Sequence, residues 1–129
     1  METISNESSG IGTVNVLFSF EVDSSATGTS AVLYQSPNYG SIIVTDVRAH
    51  DFSTVPSTTV FSFGTNSPLY DNIVSNVAPS LTTVTNSVQI THSQKTYIPP
   101  STNVYYEINT AELGPCTFNV SVVGFIVQA

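Results

Sequence analysis

Residues 13–22 read TVNVLFSFEV. Val14, Val16, Phe18, Phe20 and Val22 fall on one side of an extended chain, and Thr13, Asn15, Ser19 and Glu21 fall on the other. Side chains of a strand alternate between the two faces of its sheet, so this pattern predicts a half-buried β-strand. The stretch TFNVSVVGFIVQ, residues 117–128, alternates too: Phe118, Val120, Val122 and Ile126 share one face, and Val123, Phe125 and Val127 share the other. Apolar residues on both faces predict a central strand covered from two sides.

Six more segments between these two read as strands: 31–35, 41–50, 58–63, 81–90, 94–98 and 103–108. Clusters such as Ser36-Pro37-Asn38-Tyr39-Gly40 and Pro99-Pro100 separate them. In 41–50, Ile42 and Val44 take one face and Ile43, Val47 and Ala49 the other, so the strand is expected to be buried on both sides at its start and solvated at its end. In 81–90, Val84, Val88 and Ile90 are expected to point inward. Residues 69–80 are ambiguous; Asp71 is placed to cap a short helical turn that Pro79 closes. About eight strands with Gly, Pro and Asn punctuation predict an all-β chain, an antiparallel β-sandwich of jelly-roll type. Residues 1–12 lack apolar alternation and are expected to form a flexible N-terminal arm before a single domain over 13–129.

Composition agrees with this reading. Val, Ile and Thr make up 43 of the 129 residues, and branching at Cβ suits pleated strands better than helices. Ser, Thr and Asn account for 46 residues. Nine acids face only Arg48 and Lys95, giving a net charge of −7. Nucleic-acid binding needs clustered cations, and an anionic membrane surface also attracts basic segments; neither partner is expected. No apolar run approaches the roughly 18 residues of a membrane helix. Residues 1–12 lack the basic and apolar regions of a secretion signal, which predicts a protein made in the host cytoplasm and used without passing a secretion machine. The sequons at Asn6 and Asn119 are then chance matches in an Asn- and Ser-rich chain.

Chemistry-bearing residues are few. Asp46 and His50 lie roughly 13 Å apart along a strand, too far to share an ion. Asp51 is expected on the opposite face from His50, with Arg48 neutralising Asp46 or Asp51. His50 and His92 on different strands form the remaining metal candidate, and the bland alternative is a polar strand end. Cys116, the single cysteine, excludes an intramolecular disulfide; a nucleophilic role would require a base such as His92, and a small buried side chain is the simpler role. Glu107 and Glu112 are a carboxylate pair in number only, one on a strand and one in a loop. Glu21 and Asp23 share a face without the oxygen-rich loop a Ca²⁺ site needs. No catalytic residue, metal or cofactor is therefore expected. The six tyrosines offer contact surface because the ring is apolar and the hydroxyl bonds; Tyr34, Tyr39, Tyr70 and Tyr105 are the candidate partner contacts, together with Ile4 and Ile11 of the arm.

The polar arm METISNESSGIG, the strand TVNVLFSFEV, the segment NVYYEINT and the ending TFNVSVVGFIVQA together resemble the small structural proteins of tailed-phage virions, most closely the capsid decoration or cement proteins. The resemblance is one of style across the whole chain and rests on no diagnostic motif. It implies a β-sandwich, usually trimeric, that sits on the outer capsid surface and stabilises the shell through contacts with the major capsid protein. An N-terminal arm in such families often reaches a neighbouring subunit; here its hydrophobes are only Ile4 and Ile11. A carbohydrate-binding module using the tyrosines and a phage tail or fibre component are the alternative readings.

Overall fold

The computed structural model of the chain describes residues 15–90 and 97–128. The expected arm, with Ile4 and Ile11, lies outside the described residues, as do Val14, His92 and Lys95. Ten strands form without a helix among the described residues: β1 (Asn15–Asp23), β2 (Gly28–Thr29), β3 (Tyr34–Gln35), β4 (Gly40–His50), β5 (Val60–Gly64), β6 (Val74–Val77), β7 (Val88–Gln89), β8 (Tyr97–Ile98), β9 (Asn103–Thr110) and β10 (Thr117–Gln128).

They make two antiparallel sheets. The first runs β1-β10-β4-β7, with β8 also on β4; the second runs β2-β9-β5-β6, with β3 also on β9. The inner faces pack on each other through rings from both sheets. Phe20 meets Phe63 edge-on at 5.4 Å, and Phe118 meets Phe61 at the same separation. Val22, Val47, Phe61, Phe63, Val104, Val120 and Val122 are fully buried between the layers. The sandwich expected from the alternations is the fold observed.

Two β-bulges change which residues face the core. In β1 the register jumps between Val16 and Phe18, so Leu17 and Phe18 both turn toward the core and Val16 is 57% exposed rather than buried. In β4 the register jumps opposite Val123/Gly124, which leaves Thr45 as the extra residue. An extra residue reverses the alternation. Ile42 and Val44 before it, and Val47 and Ala49 after it, therefore all face the same core, so at the end expected to be solvated one face is buried and only Asp46, Arg48 and His50 remain on the outer face, while at the start Ile43 is half-buried there. Gly124 permits the close approach there: a Cβ on it would overlap the Ile43 carbonyl oxygen.

Other expectations are corrected. Residues 81–90 supply only the two-residue β7, and Val84 is exposed, because Ser, Thr and Asn dominate that stretch and form local turns instead. Asp71 does not cap a helical turn. Asn66 Oδ1 accepts from the N–H groups of Asp71 and Asn72, Asn72 Oδ1 accepts from Thr65 N–H, and the chain then enters β6. Across the far end of the sandwich, the Glu112 carboxylate accepts from the N–H groups of Ser57, Thr58 and Thr59 and from the hydroxyls of Ser57 and Thr59. This clamps the loop before β5 to the turn before β10. No helix is long and apolar enough to cross a membrane among the described residues.

Candidate functional site

The outer face of the β1-β10-β4 sheet carries the residues that inner packing leaves free. Its composition changes along the strands. At the end near Asp23 and His50 it is polar, and at the end near Val16 and Gln128 it is mainly apolar, with Asp46 beside Val123 and Ser41 beside Val127.

The polar half is tied by a chain of hydrogen bonds. Asp51 has φ +56°, a left-handed conformation that ends β4 and swings its carboxylate back beside His50 instead of to the opposite face. His50 Nδ1 lies 3.0 Å from Asp51 Oδ2, and His50 Nε2 lies 2.7 Å from Ser121 Oγ. Ser121 Oγ in turn lies 3.0 Å from Ser19 Oγ. Facing a carboxylate, Nδ1 carries the proton of the neutral ring, so Nε2 accepts from the Ser121 hydroxyl. Ser19 then donates to Ser121. Asn119 adds a long contact to Asp51, 3.5 Å. Sequence pattern alone does not reveal this arrangement, because Asp51 turns only through its positive φ.

Carboxylate, imidazole and hydroxyl stand in the order that activates a serine nucleophile. The surroundings differ from an acyl-transfer site. Ser121 is mid-strand in β10, which is hydrogen-bonded to β1 on one side and β4 on the other. Its neighbouring amides lie in those ladders rather than free to meet a forming oxyanion. The arrangement is suited to crosslinking β1, β10 and β4 across an open sheet.

The remaining candidate residues are also held in local bonds. Asp46 accepts from Arg48 Nε at 3.2 Å and from Gln89 Nε2 at 2.9 Å, so Arg48 pairs with Asp46 rather than Asp51. Asp23 accepts from the N–H and hydroxyl of Ser25, and those hydrogen bonds hold its carboxyl below its ordinary value. Glu107 accepts from the Thr29 hydroxyl, whereas Glu112 is committed to its clamp, so the two carboxylates serve separate networks. Burial opposes charge on Glu112, but the hydroxyls of Ser57 and Thr59 and the Ser57 and Thr58 amides outweigh it and hold the carboxyl at about 2. Cys116 is fully buried, its thiol 3.6 Å from the Thr54 carbonyl. No group of three or more His, Cys, Asp or Glu able to hold a metal ion occurs among the described residues.

The tyrosines divide into two kinds. Tyr34 is half-buried and stacks on Phe18 at 4.1 Å; burial, with Tyr39 adding to it, raises its phenol above the ordinary range. Tyr106 stacks on Phe20 at 6.2 Å, and its hydroxyl accepts from Asp23 N–H. Tyr70 and Tyr105 lie against each other at 4.7 Å, half-buried on the second sheet. Only Tyr39 and Tyr97 are exposed.

Tyr97 belongs to the apolar half of the outer face. It stands opposite Ile43 of β4, which stands opposite Phe125 of β10. Val123 of β10 stands opposite Val16 of β1, and Val127 follows on the same face of β10. Val16, Tyr97 and Val127 are 57%, 47% and 45% exposed, and Ile43, Val123 and Phe125 are half-buried. The second apolar face of β10 was the sequence signal for this patch. Its expected cover is not seen, because the described residues make two layers and no third. No protein-family model matches the chain, and no curated protein matches its sequence.

Proposed function

We propose that the protein is a virion structural component, a decoration protein that binds the outer capsid surface of a tailed phage and reinforces the shell through contacts with the major capsid protein. The observation that carries this reading is the outer face of the larger sheet. Its polar half is held in internal bonds, and its other half is mainly apolar, with Asp46, opposite Val123, tied to Arg48 and Gln89. Such a surface is built to be covered, and contiguous apolar patches of this kind mark contact sites on soluble domains. The rigid, two-layer sandwich and the neutral Ser, Thr and Asn surface suit a part that bonds at short range and depends little on salt. The chain is read as working in more than one copy, with the arm over residues 1–12 as a second contact.

Purified particles of the encoding virus test the proposal. The protein should appear in them in stoichiometric amount by mass spectrometry. Full-length protein should rebind particles from which it has been stripped, and a chain starting at Thr13 should rebind more weakly while retaining its β spectrum. Absence from the particles, or no rebinding, would overturn the proposal.

A further inference from the structure

We propose that the free edge of β1 is a docking edge for an extended, basic segment of another protein, which joins the first sheet as an added antiparallel strand. The inference concerns the rim of the sheet rather than its outer face, and it holds whether or not the segment belongs to a capsid protein.

The argument begins with the hydrogen bonds that β1 leaves unmade. Its only partner strand is β10. Just past its end, Ser24 N–H donates to the Cys116 carbonyl in step with that register, while Asp23 N–H turns the other way and donates to the Tyr106 hydroxyl. Backbone groups of an antiparallel strand alternate in this manner. Phe18, Phe20 and Val22 therefore bond to β10, and the N–H and C=O groups of Ser19 and Glu21 point off the sheet. Among the described residues no group meets them.

This edge is long. The other strands at sheet edges are β2, β3, β7 and β8, with two residues each, and β6, with four. β1 has nine and contains neither proline nor lysine, residues that commonly keep another strand from adding to an edge. The bulge at Leu17 disrupts only its first end, and pairing is regular over Phe18–Asp23.

Charge selects the occupant. Ser19, Glu21 and Asp23 are exposed on the outer face. A guest residue opposite Glu21 or Asp23 shares that face at about 5 Å, where an opposite charge stabilises the pair and a like charge destabilises it. A second copy does not meet this demand. Any antiparallel register that uses both Ser19 and Glu21 within the regular part sets Glu21 of one copy opposite or diagonal to an acid of the other. Residues 1–12 hold Glu2 and Glu7 and no Lys or Arg, and the whole chain has only Arg48 and Lys95. Arg48 is already paired with Asp46. The segment therefore comes from a different chain, with Lys or Arg opposite Glu21 and Asp23. Its intervening side chains turn to the inner face, beside Phe18 and Phe20 and the half-buried Tyr34 and Tyr106 stacked on them. Apolar residues suit those positions, so the occupant alternates basic and apolar. Its main chain supplies the hydrogen bonds and its alternate side chains the selectivity.

Amide hydrogen exchange by NMR on the full chain, with an end-blocked peptide of alternating Lys and Val as the probe, is the test. In the free protein, the amides of Ser19 and Glu21 should exchange about a hundredfold or more faster than those of Phe20 and Val22. Saturating peptide should slow them about tenfold or more. The lysines of the guest are the residues whose backbone N–H groups face β1. Methylating those backbone nitrogens should abolish the protection, whereas methylating the backbone nitrogens of the valines, at identical charge, should leave it. Glu21→Lys, an exposed change, should weaken peptide binding about tenfold with an unaltered melting curve. Leu113→Lys, at a loop residue 90% exposed and away from this edge, should leave the protection of Ser19 and Glu21 intact. Amides of Ser19 and Glu21 already protected in the free protein, equal protection by the lysine-methylated peptide, or peptide binding that leaves both amides exchanging freely would overturn the proposal. Particles play no part in this measurement. Protection by the peptide without rebinding to particles leaves the docking edge and removes the decoration reading; rebinding without protection removes the docking edge alone.

Discussion

Glu112 joins two loops that neither sheet connects, and its ionisation makes that joint sensitive to pH. Its carboxyl titrates at about 2 in the folded chain, against an ordinary value of 4.5. A group with a depressed folded value stabilises the fold fully above its unfolded value and loses that contribution as pH falls toward the folded one. The melting-temperature gap between wild type and Glu112→Gln should therefore be constant from pH 6 to 8 and shrink between about 4.5 and 2. Thermal melts across that range measure it, and a gap independent of pH would show that the charge is not what holds the loops. At Gly124 the constraint is steric. A Cβ there meets backbone on the neighbouring strand and cannot be relieved by rotating a side chain. Gly124→Ala should cost about 1–3 kcal/mol in denaturant unfolding. Phe61, fully buried and edge-on to Phe118, should cost about 3–5 kcal/mol on truncation to Ala.

Among the elements, β4 carries the clearest lesson about what a sequence discloses. Its apolar residues at 42, 44, 47 and 49 break step once, between 44 and 47. Read as a regular strand, that break sends Val47 and Ala49 to the wrong face; read as a bulge, it leaves all four inward. Deleting Thr45 should thus keep every inward residue in place and give a chain that still melts cooperatively. Deleting Arg48, in the regular part, should move Ala49 outward and His50 inward and cost most of the stability. Circular dichroism melts of the two deletions compare them directly. The long strands β1, β4, β9 and β10 were legible because each has enough alternating positions to fix a period. The two-residue β2 was not read as a strand and β7 and β8 were poorly delimited, since so few residues carry no period and their conformation is set by the partner strand. Of the candidate site, the second apolar face of β10 was visible, but the exposure of Val16 and the turn of Asp51 toward His50 were not. A bulge and a left-handed residue set those positions, and neither is encoded by apolar spacing. Tyr34 looked like surface from its place at a strand end and instead stacks on Phe18, because the pairing of β3 with β9 carries it over the edge of the core.

At the scale of the molecule, charge and apolar surface oppose each other. The net charge of −7 acts over about 30 Å at 10 mM salt but only about 8 Å at 150 mM. Any association between copies should therefore tighten several-fold over that interval as their repulsion is screened, read by sedimentation at the two salts; weakening with salt would mean that ion pairs hold the copies together. The order of the strands in the first sheet also bears on biosynthesis. β10, made after all the others, lies between β1 and β4 and supplies the ladder of β1 and the longest ladder of β4, which otherwise has only the two-residue β7 and β8. Until a ribosome has released it, β1 and β4 have no strand to join them, and each presents a row of unpaired amides and carbonyls. Most of this sheet must close late, through contacts distant in sequence, a topology that folds slowly. A nascent chain stalled before Thr117 should be degraded or aggregate, whereas one stalled well past Ala129 should resist protease.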